Sequence, residues 1–117
     1  MSYSDLSLEG QVALVTGSAR GIGSALAIGL AQAGAEVAVS DVPERLADAG
    51  KVQERIRVLG RASSAYALDV LDLGNIQDAI DGVTRDFGRL DILVNNAGIR
   101  RRKPALEVTE EDWDAVV

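Results

Sequence analysis

Three glycines near the N-terminus have the spacing of a loop that binds an anion. The segment from Thr16 to Gly23 reads TGSARGIG, the pattern G-x-x-x-G-x-G, and stands between an apolar run and an amphipathic segment. We expect Gly17 to permit a sharp turn, Gly21 to let the backbone approach a ligand, and Gly23 to allow tight helix-to-strand packing. Backbone N–H groups at the start of the next helix would then face an anion, and a diphosphate fits that geometry.

A glycine-rich turn that only joins a strand to a helix is the alternative interpretation of this loop. The spacing differs from the G-x-G-x-x-G of the general dinucleotide fingerprint. No Gly-Lys-Ser or Gly-Lys-Thr follows, so a P-loop is not expected. The loop therefore needs support from other residues before it indicates a nucleotide.

A carboxylate in the right place gives that support. Asp41 ends the second apolar run, about 20 residues after the loop, where a carboxylate can accept hydrogen bonds from adenosine ribose hydroxyls and repel a 2′-phosphate. It could also cap a helix opened by Pro43. Arg20 and Arg45 could each reach a 2′-phosphate and so favour NADP. The position of Asp41 nevertheless makes NAD the expected cofactor, with NADP less expected.

The composition limits the chemistry that remains. The chain has 117 residues, 18 acidic and 12 basic side chains, and a net charge of −6, which is typical of a globular domain and argues against a nucleic-acid partner. It has no cysteine and no histidine, which excludes thiol nucleophiles, imidazole bases and the common zinc sites. No apolar run approaches the roughly 20 residues of a membrane span. We expect a cytoplasmic protein without a membrane partner.

Short apolar runs alternate with amphipathic segments, which is typical of βαβ units and a parallel sheet. The pattern predicts strands over 11–16, 36–40, 62–68 and 90–94. It predicts helices over 22–33, 43–59 and 73–87, the last capped by Asp72 and ended by Gly88, and a further helix from about 110 behind a capping box at Thr109. The sequence therefore predicts an α/β fold in one domain.

Two further motifs give the sequence a family resemblance. Asp69-Val70 follows the third predicted strand, and Asn95-Asn96-Ala97-Gly98 follows the fourth. With the glycine loop, they stand in the order of the short-chain dehydrogenase/reductase family, which the chain resembles from about Leu8 onward. The resemblance implies a Rossmann-like, doubly wound parallel sheet. Right-handed crossovers give the four strands the order 3-2-1-4, with the cofactor crevice beyond their carboxyl ends.

The resemblance also implies a role for each motif in binding NAD or NADP. The glycine loop would line the diphosphate, Asp41 the adenosine ribose, Asp69 and Val70 the adenine, and the Asn-Asn segment the nicotinamide-side ribose. The cofactor-binding residues so expected are Gly17, Ser18, Arg20, Gly21, Ile22, Gly23, Asp41, Asp69, Val70, Asn95, Ala97 and Gly98. The simpler alternatives are that Asp69 only ends its strand and that the two Asn amides satisfy neighbouring backbone groups.

The acid/base pair of the family that the chain resembles, Tyr-x-x-x-Lys, is absent from the sequence. Tyr3 is followed by Ser7 at the fourth position and Tyr66 by Val70, and Tyr66 is interpreted as a packing residue. No catalytic residue is therefore assigned. We expect the chain to be the cofactor-binding half of a longer, homo-oligomeric enzyme, truncated before the remaining strands and inactive alone. Strand four would otherwise be an unprotected apolar edge.

A basic run from Arg100 to Lys103 follows the Asn-Asn segment. It could attract a carboxylate or phosphate on a small-molecule substrate, it could be a solvated charge run, or it could contact another subunit. Two functions follow. The first is an NAD-dependent oxidoreductase acting on a secondary alcohol or ketone, with an anionic substrate as one option. The second is a non-catalytic dinucleotide-binding or interaction module.

Overall fold

A computed structural model describes residues 7–96 of the chain. Several sequence expectations lie outside this range: the cofactor contacts of Ala97 and Gly98, the basic run 100–103, and the helix near 110. Within the described residues, no helix is both long enough and apolar enough to cross a membrane.

Four parallel strands form the sheet, in the order β3-β2-β1-β4, as predicted. Their bounds are β1 (Val12–Thr16), β2 (Glu36–Asp41), β3 (Ser63–Ala67) and β4 (Ile92–Asn95). The last residue of β1, Thr16, pairs with Asn95 at the end of β4. The residues that follow β1, β2 and β4 are thereby brought to one edge of the sheet, the carboxyl edge.

Three helices connect the strands, and all three were predicted. Their bounds are α1 (Gly21–Gln32), α2 (Leu46–Val58) and α3 (Leu73–Phe87). The predicted start of the second helix was early, because Pro43–Arg45 forms a separate 3-10 turn. Arg45 has φ −113° and ψ 11°, which departs from α-helical geometry, so the α-helix begins one residue later.

The two ends of α3 confirm the predicted cap at Asp72 and the predicted stop at Gly88. The Asp72 side chain accepts a hydrogen bond from the Asn75 backbone N–H at 3.2 Å, which satisfies one of the free donors of the first turn. Gly88 has φ 83° and its N–H donates to the Thr84 carbonyl at 2.8 Å. The left-handed backbone conformation at this position favours glycine.

Two apolar cores cover the two faces of the sheet. On one face, β1 and β2 pack against α1 and α2 through residues that include Val15, Val39, Ala27 and Ile56. On the other face, Val12, Leu14 and Ala38 pack with Val83 of α3. Every residue of β1 is buried, which explains why its sequence is a continuous apolar run. The sheet is therefore doubly wound.

Candidate functional site

The glycine loop, residues 17–23, leaves β1 at the carboxyl edge and enters α1. Gly17 has φ 62° and Gly21 has φ 60°, both in the left-handed region that L side chains rarely adopt. Gly17 makes the expected sharp turn. At Gly21 no described atom lies within 4 Å of the position that a Cβ would take. The loop therefore has an open side at Gly21, where the sequence predicts close approach of a ligand.

Gly23 lets the start of α1 touch the loop itself. A Cβ at Gly23 would overlap the Gly17 carbonyl oxygen and would come within 2.6 Å of Asn96 Nδ2. The sequence predicts helix-to-strand packing here. The Cβ position instead lies against the loop and against the residue after β4.

Side chains at the end of β4 and directly after it bond to the end of β1 and to the loop. The Thr16 hydroxyl donates to Asn95 Oδ1 at 3.0 Å, and Asn96 Nδ2 donates to the Gly17 carbonyl at 3.2 Å. Asn96 therefore satisfies a backbone carbonyl, as one interpretation of the sequence proposed for both Asn side chains, whereas the Asn95 bond is with a side-chain hydroxyl. Contact between Asn95 and a cofactor ribose stays a prediction.

Ser18 holds the loop from the side of β2. Its backbone N–H donates to the Ser40 carbonyl at 2.9 Å, and its hydroxyl oxygen accepts from the Ser40 N–H at 2.9 Å. The same hydroxyl donates to the Val15 carbonyl at 2.9 Å. Ser18 was expected among the residues around the diphosphate, but its side chain is fully buried and its hydroxyl bonds inside the protein.

Asp41 connects the end of β2 to the loop. Asp41 is only 5% exposed. Its Oδ2 accepts from the Ala19 N–H at 3.2 Å, and its Oδ1 accepts from the Val42 N–H at 2.8 Å. It caps neither the 3-10 turn nor α2, since no side-chain bond from the described residues caps either of them. A carboxylate has about four acceptor positions, so both oxygens can accept more hydrogen bonds.

The N-terminus of α1 keeps free donors. Among the described residues, no side chain caps this end, and its first turn contains no acidic residue. The adjoining Arg20 and Ile22 are exposed, whereas α3 is capped by Asp72. The N–H groups and the positive end of the helix dipole are thus available to an anion at α1.

Asp69 organises the turn after β3. Its Oδ1 accepts from the Leu71 N–H at 3.0 Å, and its own N–H donates to Asn75 Oδ1 at 2.6 Å. This is the turn-forming role that the sequence offered as an alternative. Asp69 is exposed and Val70 half-buried, so their expected contacts with adenine stay a prediction.

Two features of the site were not predicted from the sequence: the hydrogen bonds of Ser40 with Ser18, and the bond from the Thr16 hydroxyl to Asn95. A serine inside a strand carries no signal of its own, because its partner is 22 positions away in the sequence. The register of β1 against β2 is needed before the pair can be seen.

Across residues 7–96, no cluster of three or more Asp or Glu side chains could hold a metal.

Comparison with known proteins gives one consistent result. The family model described as short chain dehydrogenase matches residues 11–117. The 2-dehydro-3-deoxy-D-gluconate 5-dehydrogenase of Escherichia coli (strain K12) is 41% identical over 117 residues, which are 100% of this chain and 45% of that protein. The D-threitol dehydrogenase of Mycolicibacterium smegmatis is 44% identical, and the match covers 97% of this chain and 43% of that protein.

A solved structure has the same architecture. It is a short chain dehydrogenase from Burkholderia cenocepacia in complex with NADP, with a TM-score of 0.75 and 44% identity, and the match covers 93% of this chain and 44% of that one. The chain spans less than half the length of the curated relatives described above.

Proposed function

The chain belongs to the short-chain dehydrogenase family, and from that premise we propose that its carboxyl edge binds the adenosine diphosphate part of a nicotinamide dinucleotide. The whole protein is then an NAD(P)-dependent oxidoreductase that transfers a hydride between the cofactor and a secondary alcohol or ketone. When bound, the nicotinamide ring supplies the hydride donor or acceptor. The residues of this chain bind and orient the cofactor.

The open N-terminus of α1 is the observation that most supports this function. It combines uncapped N–H groups with a loop whose Gly21 leaves room for a ligand. A diphosphate would accept hydrogen bonds from these groups and interact favourably with the helix dipole. Gly17, Gly21 and Gly23 shape the loop, while Arg20 and Ile22 lie exposed beside it.

Asp41 is proposed to accept hydrogen bonds from the hydroxyls of the adenosine ribose. Its carboxylate is held in place by the Ala19 and Val42 N–H groups, so it is oriented before the cofactor arrives. The adenine side is assigned to Asp69 and Val70. The nicotinamide-side ribose is assigned to Asn95, together with Ala97 and Gly98 outside the described residues.

We propose NAD rather than NADP as the preferred cofactor. A 2′-phosphate would lie against a carboxylate that is buried and fixed, and like charges at close range repel. Arg20 opposes this preference, since an exposed guanidinium beside the loop could pair with a 2′-phosphate. The Burkholderia cenocepacia relative was solved with NADP, so the choice has to be measured.

Tyr66 is unsuited to proton transfer at this site. Its hydroxyl donates to Asp86 at 2.6 Å, and its ring meets Gly82 of α3. Burial and the hydrogen bond to Asp86 raise the pKa of Tyr66, whereas a catalytic phenol needs its pKa lowered. This observation favours the second candidate for the chain by itself, a dinucleotide-binding module without catalysis. An anionic substrate and a homo-oligomeric assembly stay proposals for the whole protein.

Titration of the full chain with NADH and NADPH, followed by nucleotide fluorescence, tests the proposal. We expect both to bind and NADH to bind about tenfold more tightly, because one repulsive contact of about 1.4 kcal/mol gives that ratio. Asp41→Asn should bring the two Kd values together while keeping an oxygen for a backbone N–H. Asp81→Asn on α3, which removes an exposed charge bonded to Gln77, should preserve the ratio. Absence of binding by the unaltered chain would refute the function, and an unchanged ratio in Asp41→Asn would refute the ribose assignment.

A further inference from the structure

Ser18 and Ser40 form a buried hydroxyl pair, which we call the serine pair. Both residues have zero solvent exposure. The two hydroxyls donate to the same acceptor, the carbonyl of Val15, at 2.9 Å from Ser18 and 3.0 Å from Ser40. A carbonyl oxygen has two lone pairs, so both bonds can form together.

Ser18 extends the β1–β2 ladder beyond the end of β1. The last register pair of these strands is Val15 with Val39. Ser40 comes next along β2, and its carbonyl accepts from the Ser18 N–H at 2.9 Å. The register of Val15 with Val39 places the Ser40 N–H opposite the Val15 carbonyl within the ladder. The Ser18 hydroxyl oxygen gives that N–H a second acceptor, at 2.9 Å.

The serine pair therefore fixes where the loop stands relative to Asp41. Ala19 follows Ser18, Asp41 follows Ser40, and the Asp41 carboxylate accepts from the Ala19 N–H. If the loop moved, the buried Ser18 would lose its N–H bond to the Ser40 carbonyl and its hydroxyl bonds with Val15 and Ser40. A buried donor without a partner is costly, so this network favours one loop conformation.

We infer that Ser18 and Ser40 are positioning residues for the cofactor and set its affinity by holding the loop in the conformation that binds. This inference rests on the proposed function. Neither hydroxyl touches the cofactor; both act through the backbone of the loop and through Asp41. When only a fraction of the molecules has the competent loop, the apparent Kd rises in inverse proportion to that fraction.

The test measures the Kd of NADH for the full chain and three variants. Ser18→Ala removes the hydroxyl that bonds with both the Val15 carbonyl and the Ser40 N–H, and we expect Kd to rise about tenfold, as for the loss of one buried hydrogen-bond partner. Ser40→Ala should have a smaller effect, about two- to threefold, because Val15 keeps its bond from Ser18 and the Ser40 backbone bonds remain. The predicted order of the two variants is specific to this network.

Ser63→Ala is the matched control. Ser63 is also buried, and its hydroxyl donates to the Val37 carbonyl at 2.6 Å, at the opposite end of the strands. It should lower the melting temperature but leave the Kd unchanged. Amide hydrogen exchange gives a second measurement without nucleotide: the Ser40 and Ala19 N–H groups should exchange faster in Ser18→Ala and not in Ser63→Ala.

The outcomes separate the inference from the function on which it rests. If the unaltered chain binds NADH and a folded Ser18→Ala binds it equally well, the pair is only structural and the inference is overturned. If Ser18→Ala does not fold, Ser40→Ala and Ser18→Cys are judged by the same criterion. If the unaltered chain binds no nucleotide, the proposed function falls, and the inference falls with it.

Discussion

At Gly23 the glycine loop, α1 and the residue after β4 come closest together. There is no room for a Cβ between Gly23 and the Gly17 carbonyl, and Asn96 closes the other side. The carbonyl is also the acceptor of the Asn96 amide. A single methyl group at this position would therefore push apart the three pieces from which the site is built.

We expect Gly23→Ala to abolish detectable NADH binding, because the overlap is with backbone, which cannot move aside as a side chain can. Gly29→Ala is its control in the same helix, since no described atom lies within 4 Å of a Cβ there. That change should stabilise the protein by up to about 1 kcal/mol, from the higher helix propensity of alanine, and leave the Kd as it was. Fluorescence titration and urea unfolding measure the two effects. Native affinity in Gly23→Ala would mean that the anion site lies elsewhere.

At the scale of elements, α1 and α3 differ at their N-termini. α3 is closed by the Asp72 side chain, whereas no side chain within residues 7–96 closes the start of α1. The turn before α3 is also tied by Asn75, whose Oδ1 accepts from the Asp69 N–H at 2.6 Å. One helix end is thus closed by a side chain, and the other is the end at which we propose that the diphosphate binds.

Asp72→Ala should cost about 1 kcal/mol of unfolding free energy, the usual contribution of a helix N-cap. Asp78→Ala, at an exposed position within α3, is the control and should lower stability by no more than a few tenths of a kcal/mol, since alanine favours a helix. Urea denaturation measures both. Equal stabilities in the two variants would mean that the Asp72 bond contributes nothing.

Much of this arrangement could be predicted from the sequence, and what could not has a physical reason. Apolar periodicity gave the four strands and three helices, since burial depends on spacing that is local in the chain. The strand order followed from the right-handed crossover rule. The separate 3-10 turn at Pro43 depends on the backbone angles of Arg45, and the bond between Ser18 and Ser40 depends on strand register. Neither of these is encoded in local composition.

In the molecule as a whole, residues outside the strand add hydrogen bonds at both ends of β1. At the carboxyl edge, the Ser18 N–H donates to the Ser40 carbonyl at 2.9 Å. At the amino edge, the Asp91 N–H donates to the Val12 carbonyl at 2.9 Å, and Asp91 Oδ2 accepts from the Val12 N–H at 2.9 Å. Arg89 donates two hydrogen bonds to the same carboxylate, at 2.8 and 2.7 Å. Hydrogen bonds from residues outside the strand therefore extend β1 at both edges of the sheet.

The hydrogen-bonded pair of Arg89 and Asp91 predicts how the stability of the fold depends on pH. The hydrogen bond from Arg89, followed by that from the Val12 N–H, lowers the pKa of Asp91 in the folded state. Tyr66 does the same for the pKa of Asp86. The unfolded chain therefore binds more protons near pH 4 and below, so both contributions are present above about pH 4 and are lost as pH falls through the lowered pKa values.

Asp91→Asn should make this loss of stability below about pH 4 less steep, because one carboxylate with a lowered pKa is gone. Arg89→Gln should have the same effect, since it removes the group that lowers that pKa. Thermal unfolding across this range, compared with the unaltered chain, measures the slope. A slope unchanged in both variants would show that the pair does not couple folding to protonation.

The hydrogen bonds of Ser18 also limit how the glycine loop can be transplanted. In sequence the loop is a compact motif of eight residues, from Thr16 to Gly23. Its backbone geometry nevertheless depends on Ser40, a residue of another strand. A protein engineer who grafts the loop onto a different sheet must therefore place a neighbouring strand beside it in the same register, so that a backbone N–H and carbonyl of that strand meet the Ser18 hydroxyl and N–H.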